Sequence, residues 1–323
     1  MKTPDKSLLF FCQSKLIKLN LDRESDKKLL IVIAGPTASG KTSMSINVAK
    51  SFDADIISAD SRQVYKEMNI GTAKPDALEM EGVNHHFIGN VSIFDKYNVG
   101  KYEKEVMDFL NGYFLSNDYV ILTGGTGLYI DAIINGIDEF PEIDVEIVDR
   151  LKRNFKQNGI GYLQDELRKA DPMYFQTVDL NNSHRLIRAL SVIKQCGKPF
   201  TSFTNKKNNK REFDVVKVLL EWPRAILYER INRRVDQMMV AGLEEEARNL
   251  LDYRYLKALQ TVGYKELFEY FDGEISKNEA VELIKRNTRR YAKRQLTWFR
   301  NKGEWKYFNA QDFDGILNYI LLK

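Results

Sequence analysis

Gly35, Gly40, Lys41 and Thr42 stand at the four fixed places of G-x-x-x-x-G-K-[ST], inside "GPTASGKT". A glycine-rich turn entering a helix exposes backbone N–H groups that favour an anion. Lys41 adds a full positive charge, and the Thr42 hydroxyl suits Mg²⁺. The spacing therefore predicts a phosphate cradle. It leaves three chemistries open: hydrolysis of a nucleotide, transfer of a phosphoryl group, or departure of a diphosphate.

Two further stretches bear on that choice. A nucleotide hydrolase would carry an acid at the end of a second apolar strand to hold Mg²⁺. Here "DYVILTGG" runs into Thr123-Gly124-Gly125-Thr126 instead. The glycines allow close backbone approach to a ligand, and the Thr126 hydroxyl can meet an anion or a metal-bound water. Asp60 closes "ADIISAD", so it is expected at the carboxyl edge of the sheet beside the phosphate loop. There it is either a base for an amine or hydroxyl nucleophile or a cap for the next turn.

The elements that must position these residues follow from hydrophobic pattern. "KLLIVIAG", "ADIISAD", "DYVILTGG" and "FDVVKVLLEW" are short apolar, β-branched runs separated by helical stretches, the first helix being "KTSMSINVAKSF". That alternation predicts an α/β fold, a parallel sheet core covered by helices on both faces. From Asp144 to Gln195 the pattern is helical throughout, with breaks at "NGIG", "DP" and Gly197–Pro199. We read it as an all-helical insertion, followed by the polar linker "NKKNNKRE". The expected boundaries are 1–28 for an N-terminal extension, 29–138 with 207–323 for the core, and 139–206 for the insertion. "PRAILYERINRRVDQMMVAGLEEEARNLL" reads as a long helix with Pro in its first turn and a break near Gly242.

Composition narrows the setting. The 323 residues are 43% hydrophobic and 29% charged, with a net charge of only +4. Cys12 and Cys196 offer neither a disulfide framework nor zinc spacing. No apolar run reaches the ~18 residues of a membrane span, and "SLLFFC" is too short for a signal-peptide core. The expectation is a cytoplasmic protein with no membrane partner. His85 and His86 are neighbours on an extended chain and point opposite ways, so a structural role suits them better than a metal.

Charge is concentrated locally. Lys285 to Lys302 holds eight Lys or Arg and no acid. On a helix Lys285, Arg286, Arg289, Arg290, Lys293 and Arg294 form a stripe at i, i+4 spacing. Ile284, Tyr291, Trp298 and Phe299 fall on the other side. One-signed charge of this kind suits a polyanion better than an ordinary solvated face.

Seven stretches in one order complete the reading: "GPTASGKT", "ISADSRQVYKEMNIGTAKP", "NHHFIG", "GGTGLYIDAIINGI", "RINRRVDQMMVAGLEEE", "ALQTVGYKE" and "RRYAKRQLTWFRN". On these the sequence resembles the bacterial tRNA dimethylallyltransferases (tRNA isopentenyltransferases), from about Leu29 to Phe308. The resemblance implies transfer of a dimethylallyl group from dimethylallyl diphosphate to N6 of the adenosine 3′ to the tRNA anticodon, with diphosphate leaving. It implies that Gly35, Pro36, Thr37, Ala38, Ser39, Gly40, Lys41 and Thr42 bind the diphosphate, with Mg²⁺ at Thr42. Asp60 takes the N6 proton, and Thr126 and Arg234 stabilise the charge growing on the diphosphate. It brings four further groups into contact with the tRNA anticodon stem-loop. These are Asp60, Ser61, Arg62 and Gln63 with Thr126; His184, Arg185, Leu186, Ile187 and Arg188; Gln260, Thr261, Val262, Gly263, Tyr264 and Lys265; and Lys293, Arg294, Gln295, Leu296, Thr297, Trp298, Phe299 and Arg300. Where the family commonly has Arg after the Ile opening the insertion, this chain has Val148, with Arg150 and Arg153 one turn on. The implied enzyme is a monomer.

Two alternatives remain at this level. An adenylate isopentenyltransferase would use the same donor on free AMP, ADP or ATP, with little need for the basic stripe or the insertion. A small-molecule P-loop kinase would need an ATP lid that the sequence does not display.

Overall fold

The computed structural model describes residues 28–204 and 211–323. The extension with Cys12, and most of the polar linker, lie outside them. The described residues divide into two compact units, 28–134 with 211–323, and 135–204.

The first unit is built on six parallel strands: β1 (Lys28–Ala34), β2 (Ile56–Ser58), β3 (His85–His86), β4 (Tyr119–Gly124), β5 (Phe213–Glu221) and β6 (Lys306–Asn309), ordered β3-β2-β4-β1-β5-β6. Four were expected from sequence. β3 and β6 are two and four residues long, and β6 is mostly exposed. Neither presents the buried apolar run by which a central strand is recognised.

β1 is buried on both faces, and its alternate residues feed two separate cores. Leu29, Ile31 and Ile33 pack with Met44, Ile46 and Val48 of α1 (Lys41–Phe52) and with Ile316 and Ile320 of α11 (Phe313–Leu321). Leu30 and Val32 pack with Tyr102 and Val106 of α2 (Val99–Tyr113) and with Ile130 of α3 (Gly127–Asn135). A strand covered on both faces by crossover helices is necessarily near-continuously apolar, as "KLLIVIA" is.

The second unit holds α4 (Val145–Ala170), α5 (Pro172–Thr177) and α6 (Ser183–Cys196) around a core that includes Leu151, Leu163, Leu167, Leu186 and Leu190. The expected breaks have physical causes. Gly159 interrupts α4 with φ 73°. Asp171 ends α4 and caps α5, and Gly197 closes α6 in the left-handed region.

After β5 come α7 (Arg224–Val240), α8 (Leu243–Asn249), α9 (Tyr264–Phe271) and α10 (Lys277–Asn301). Pro223 is the residue before α7, with extended ψ 136°, so it caps that helix and does not sit in its first turn. Gly242, at φ 102°, separates α7 from α8. Val235, Leu243, Tyr264 and Ile284 from these helices meet Val64 and Met68 in a third core.

Candidate active site

β1, β2 and β4 end side by side. Ser58 and Ile33 both pair in register with Thr123, and Ala59 N donates to Thr123 O at 2.7 Å. The turns leaving these strands therefore converge on one edge, and a cavity of about 520 Å³ opens there. Its walls include Thr37 to Thr42, Asp60 to Gln63, and Arg234. Thr261 to Gly263 and Tyr291 also line it. Among the expected phosphate-loop residues, Gly35 and Pro36 stand behind the lining.

The phosphate loop is anchored from several directions. Ala38 lies in the left-handed region at φ 62° and Gly40 at φ 92°. Lys41 Nζ donates to Pro36 O at 2.7 Å. From outside, Trp222 Nε1 donates to Ser39 O at 2.9 Å and Arg230 Nε to Ala38 O at 2.8 Å. The Arg230 guanidinium also lies over the Trp222 ring, 4.9 Å from its centre. Gln295 of α10 takes Thr37 N on Oε1 and donates from Nε2 to Gly125 O, each at 2.9 Å. Gly35 is required, since a Cβ would lie 2.8 Å from Ser39 Oγ and 2.9 Å from Leu220 O. Ser39 Oγ is buried without a hydrogen-bond partner among the described residues. A donor left unpaired costs about 1–3 kcal/mol, so this loop is a polar cradle with a donor to spare.

Burial draws the Lys41 pKa down to about 7, with Asp60 pulling it up and Arg234 pushing it lower. Burial also lowers Arg234, against the pull of Asp60 and Glu79. Lys41, Arg230, Arg233 and Arg234 all line the cavity. Of these, sequence reasoning had named only Lys41 and Arg234. Arg230 lies one turn before Arg234, at the i, i+4 spacing that puts both on one helix face.

Asp60 caps the turn that follows β2 and also faces the cavity. Its Oδ1 accepts from Arg62 N at 2.8 Å and Gln63 N at 3.3 Å, holding the turn, while the residue lines the cavity. Thr126 Oγ1 accepts from Ser61 N at 3.0 Å and bonds the Tyr291 side chain, which ties the β4 turn to the Asp60 turn. Thr123, where a hydrolase would place an acid, is engaged with Ser45 at 2.7 Å and Ile33 O at 3.1 Å. Gln63 Nε2 donates to Ala73 O at 2.9 Å, and the preceding loop rests on one carboxylate. Glu246 accepts from Asn69 N, Ile70 N and Gly71 N at 3.0, 2.8 and 2.9 Å and from Tyr264 Oη at 2.7 Å. Nothing in the local sequence announced that role, because its partners lie far along the chain.

The residues expected to touch RNA divide by burial. Gln260, Lys265, Lys293, Arg294, Thr297 and Arg300 are exposed, as are His184, Arg185 and Arg188 of the second unit. Leu186, Tyr264 and Phe299 are fully buried, and Gln295 is nearly so. The side chains of Leu186, Tyr264 and Phe299 support the fold, while Gln295, nearly as buried, lines the cavity. Ile187, Leu296 and Trp298 are half-buried, and Trp298 packs on Gly127, where a Cβ would collide with the indole. The basic stripe is also split. Lys285 pairs with Asp236 at 2.8 Å and Glu282 at 3.0 Å, and Arg289 donates to Asn232 at 2.6 Å. Arg286, Arg290, Lys293 and Arg294 form the exposed remainder.

His86 Nε2 bonds Asp55 Oδ2 at 2.7 Å and His85 Nδ1 bonds Val83 O at 2.9 Å. Among the described residues no group of three His, Cys, Asp or Glu could hold a metal, and no helix is long and apolar enough to cross a membrane. Arg150 and Arg153, which follow Val148, share a hollow with Asp144, Glu146, Ile147 and Asp149.

With this geometry in place, likeness to known proteins can be weighed. The profile of the IPP transferase family matches residues 63–302. A tRNA dimethylallyltransferase of Flavobacterium johnsoniae is 48% identical over 301 residues, covering 91% of this chain and 97% of the relative. The chain belongs to the tRNA dimethylallyltransferase family. Another member, from Christiangramia forsetii, is 50% identical over 292 residues, with 90% and 97% covered. The crystal structure of the full-length tRNA isopentenylpyrophosphate transferase from Bacillus halodurans matches with a TM-score of 0.68 at 38% identity, over 91% of this chain and 96% of that one. A eukaryotic dimethylallyltransferase, captured acting on tRNA, matches with a TM-score of 0.76 at 27% identity, over 89% and 75%.

Proposed function

We propose that this enzyme transfers the dimethylallyl group of dimethylallyl diphosphate to N6 of the adenosine 3′-adjacent to the anticodon of tRNA. Membership of the family supports prenyl transfer to tRNA. The observation that carries the residue assignments is the cavity whose lining brings the phosphate loop, Asp60 and Arg234 together with Thr261 to Gly263.

The N6 lone pair attacks the allylic carbon, the carbon–oxygen bond breaks, and its electrons leave on the diphosphate. An exocyclic adenine amine is a weak nucleophile, so a fixed position and a nearby base must supply the rate. Asp60 accepts the N6 proton. The loop N–H groups, Lys41, Arg230 and Arg234 receive the charge that grows on the leaving group, where fixed donors are most effective. Thr126 holds the two turns in register and adds a hydroxyl at the same edge.

Mg²⁺ fits this donor set. It binds through one or two protein oxygens with the rest from phosphate and water, and the Thr42 hydroxyl beside the phosphate loop is such an oxygen. When bound, the ion neutralises part of the diphosphate charge. On the RNA side the target base leaves its stack to enter the cavity, and Arg286, Arg290, Lys293 and Arg294 meet backbone phosphates. The protein is proposed to act as a monomer.

The test is incubation with labelled dimethylallyl diphosphate and bulk tRNA, beside AMP. Label entering tRNA and not AMP is the expected result. Label on AMP would make it an adenylate prenyltransferase, and brisk ATP hydrolysis would make it a kinase-like P-loop enzyme.

A further inference from the structure

Phe94, Tyr253 and Tyr255 are 60%, 40% and 77% exposed, yet the first two are not loosely held. The Phe94 and Tyr253 rings meet edge to face, with centres 4.9 Å apart and planes at 88°. Tyr253 N donates to Leu250 O at 3.0 Å, and Leu256 N to Tyr253 O at 2.8 Å. Arg254, between the two tyrosines, is clamped on both oxygens of Asp272 at 2.6 and 2.7 Å. Its carbonyl accepts from Gln260 Nε2. Ordering aromatic side chains without burying them forgoes the stabilisation that normally accompanies order. It is the arrangement of a surface prepared for a flat partner.

The rest of this segment leads to the active site. Arg62, two residues after Asp60, donates to Lys257 O at 3.2 Å and Ala258 O at 3.0 Å. Thr261 to Gly263, a few residues on, line the cavity. Tyr253, Tyr255 and the cavity-lining Thr261 to Gly263 are thus carried on one pinned stretch of chain, tied to the Asp60 turn by the Arg62 guanidinium.

We infer that Phe94 and Tyr253 form a stacking platform for an unpaired base of the RNA substrate, outside the base that enters the cavity. This rests on the proposed tRNA reading. A nucleotide flipped from a loop leaves neighbours without their stack, and an aromatic face replaces such stacking for any base. The platform holds the loop in place and takes no part in the bond changes.

The test uses the full chain and RNA stem-loops carrying 2-aminopurine at each unpaired position in turn. In the wild type one position other than the target is quenched on binding. The double variant Phe94→Ala/Tyr253→Ala loses that quench and raises KM for RNA roughly 5- to 150-fold, the equivalent of one stacked base. Its kcat at saturating RNA and its affinity for dimethylallyl diphosphate stay the same. The slope of affinity against salt also stays, because stacking releases no counterions. Tyr253→Phe keeps the ring and behaves as wild type. An unchanged KM with the quench intact overturns the inference. So does a double variant whose only change is loss of self-association in sedimentation, which would make the patch a protein interface. If the wild type neither binds nor prenylates RNA, it is the proposed function that has failed.

Discussion

Asp60 keeps its turn with Oδ1 and lines the cavity, so its part in the turn and its proposed part as a base can be tested apart. Asparagine retains an acceptor for the two N–H groups and caps turns as well as aspartate does, but it cannot take a proton. Asp60→Asn is expected to lower kcat by about 10²–10⁴-fold, the usual worth of a general base. RNA affinity and melting temperature should stay near wild type. Turnover within tenfold of wild type would remove Asp60 from the chemistry. Lys41 allows a second test. Its pKa is brought to about 7 mainly by burial, and an anion at the loop must raise it. Binding dimethylallyl diphosphate at pH 8 should therefore take up a proton, seen as a buffer-dependent heat in calorimetry. Lys41→Arg, charged throughout, should lose that dependence. The same depression makes charged Lys41 a burden on the fold. Between pH 7 and 10.5 the unfolded chain binds more protons, so stability gains from this group as pH rises.

At the scale of elements, α10 shows what a sequence pattern conveys and what it omits. Its i, i+4 rows of Lys and Arg were legible, yet the acid that pairs Lys285 is Asp236 on α7, which spacing along one helix cannot reveal. Gln295 sits in a polar, basic stretch and reads as exposed, whereas its amide joins two backbone groups, one of them 258 positions away. Motif membership did not separate Tyr264 and Phe299, which hold the core, from neighbours that face solvent. The phosphate loop and Asp60 were legible because strand, turn and helix lie in one local run. β3 and β6 were not, because pairing rather than composition makes them strands. Only the exposed row of α10 should therefore respond to salt. Arg290→Ala/Arg294→Ala is expected to weaken tRNA binding and flatten the log–log salt slope by roughly one to one and a half units, at about 0.7 per contact. The paired Lys285→Ala should change the slope far less. Equal slopes for the double variant and wild type would leave the exposed row a solvated face.

At the scale of the whole molecule, the first unit carries every residue lining the candidate active site. It also has its own cores on both faces of the sheet and under α7 to α10. The chain leaves it after Ile134 and returns at Arg211. Those two points are close. Arg211 donates from Nε to Ile133 O at 2.9 Å and from Nη2 to Ala132 O at 2.8 Å, and its guanidinium pairs with Glu103 at 2.7 Å. A short Gly/Ser linker can thus replace residues 135–210 without stretching the sheet, since closing a short loop costs little entropy. The excised protein should fold and bind dimethylallyl diphosphate within about threefold of wild type. If His184, Arg185 and Arg188 contact RNA from the second unit, KM for tRNA should rise at least roughly tenfold, about 1.4 kcal/mol. Donor binding lost together with a cooperative melt would show that the catalytic unit depends on the insertion for folding. Donor binding kept with KM for tRNA unchanged would remove the insertion from substrate recognition.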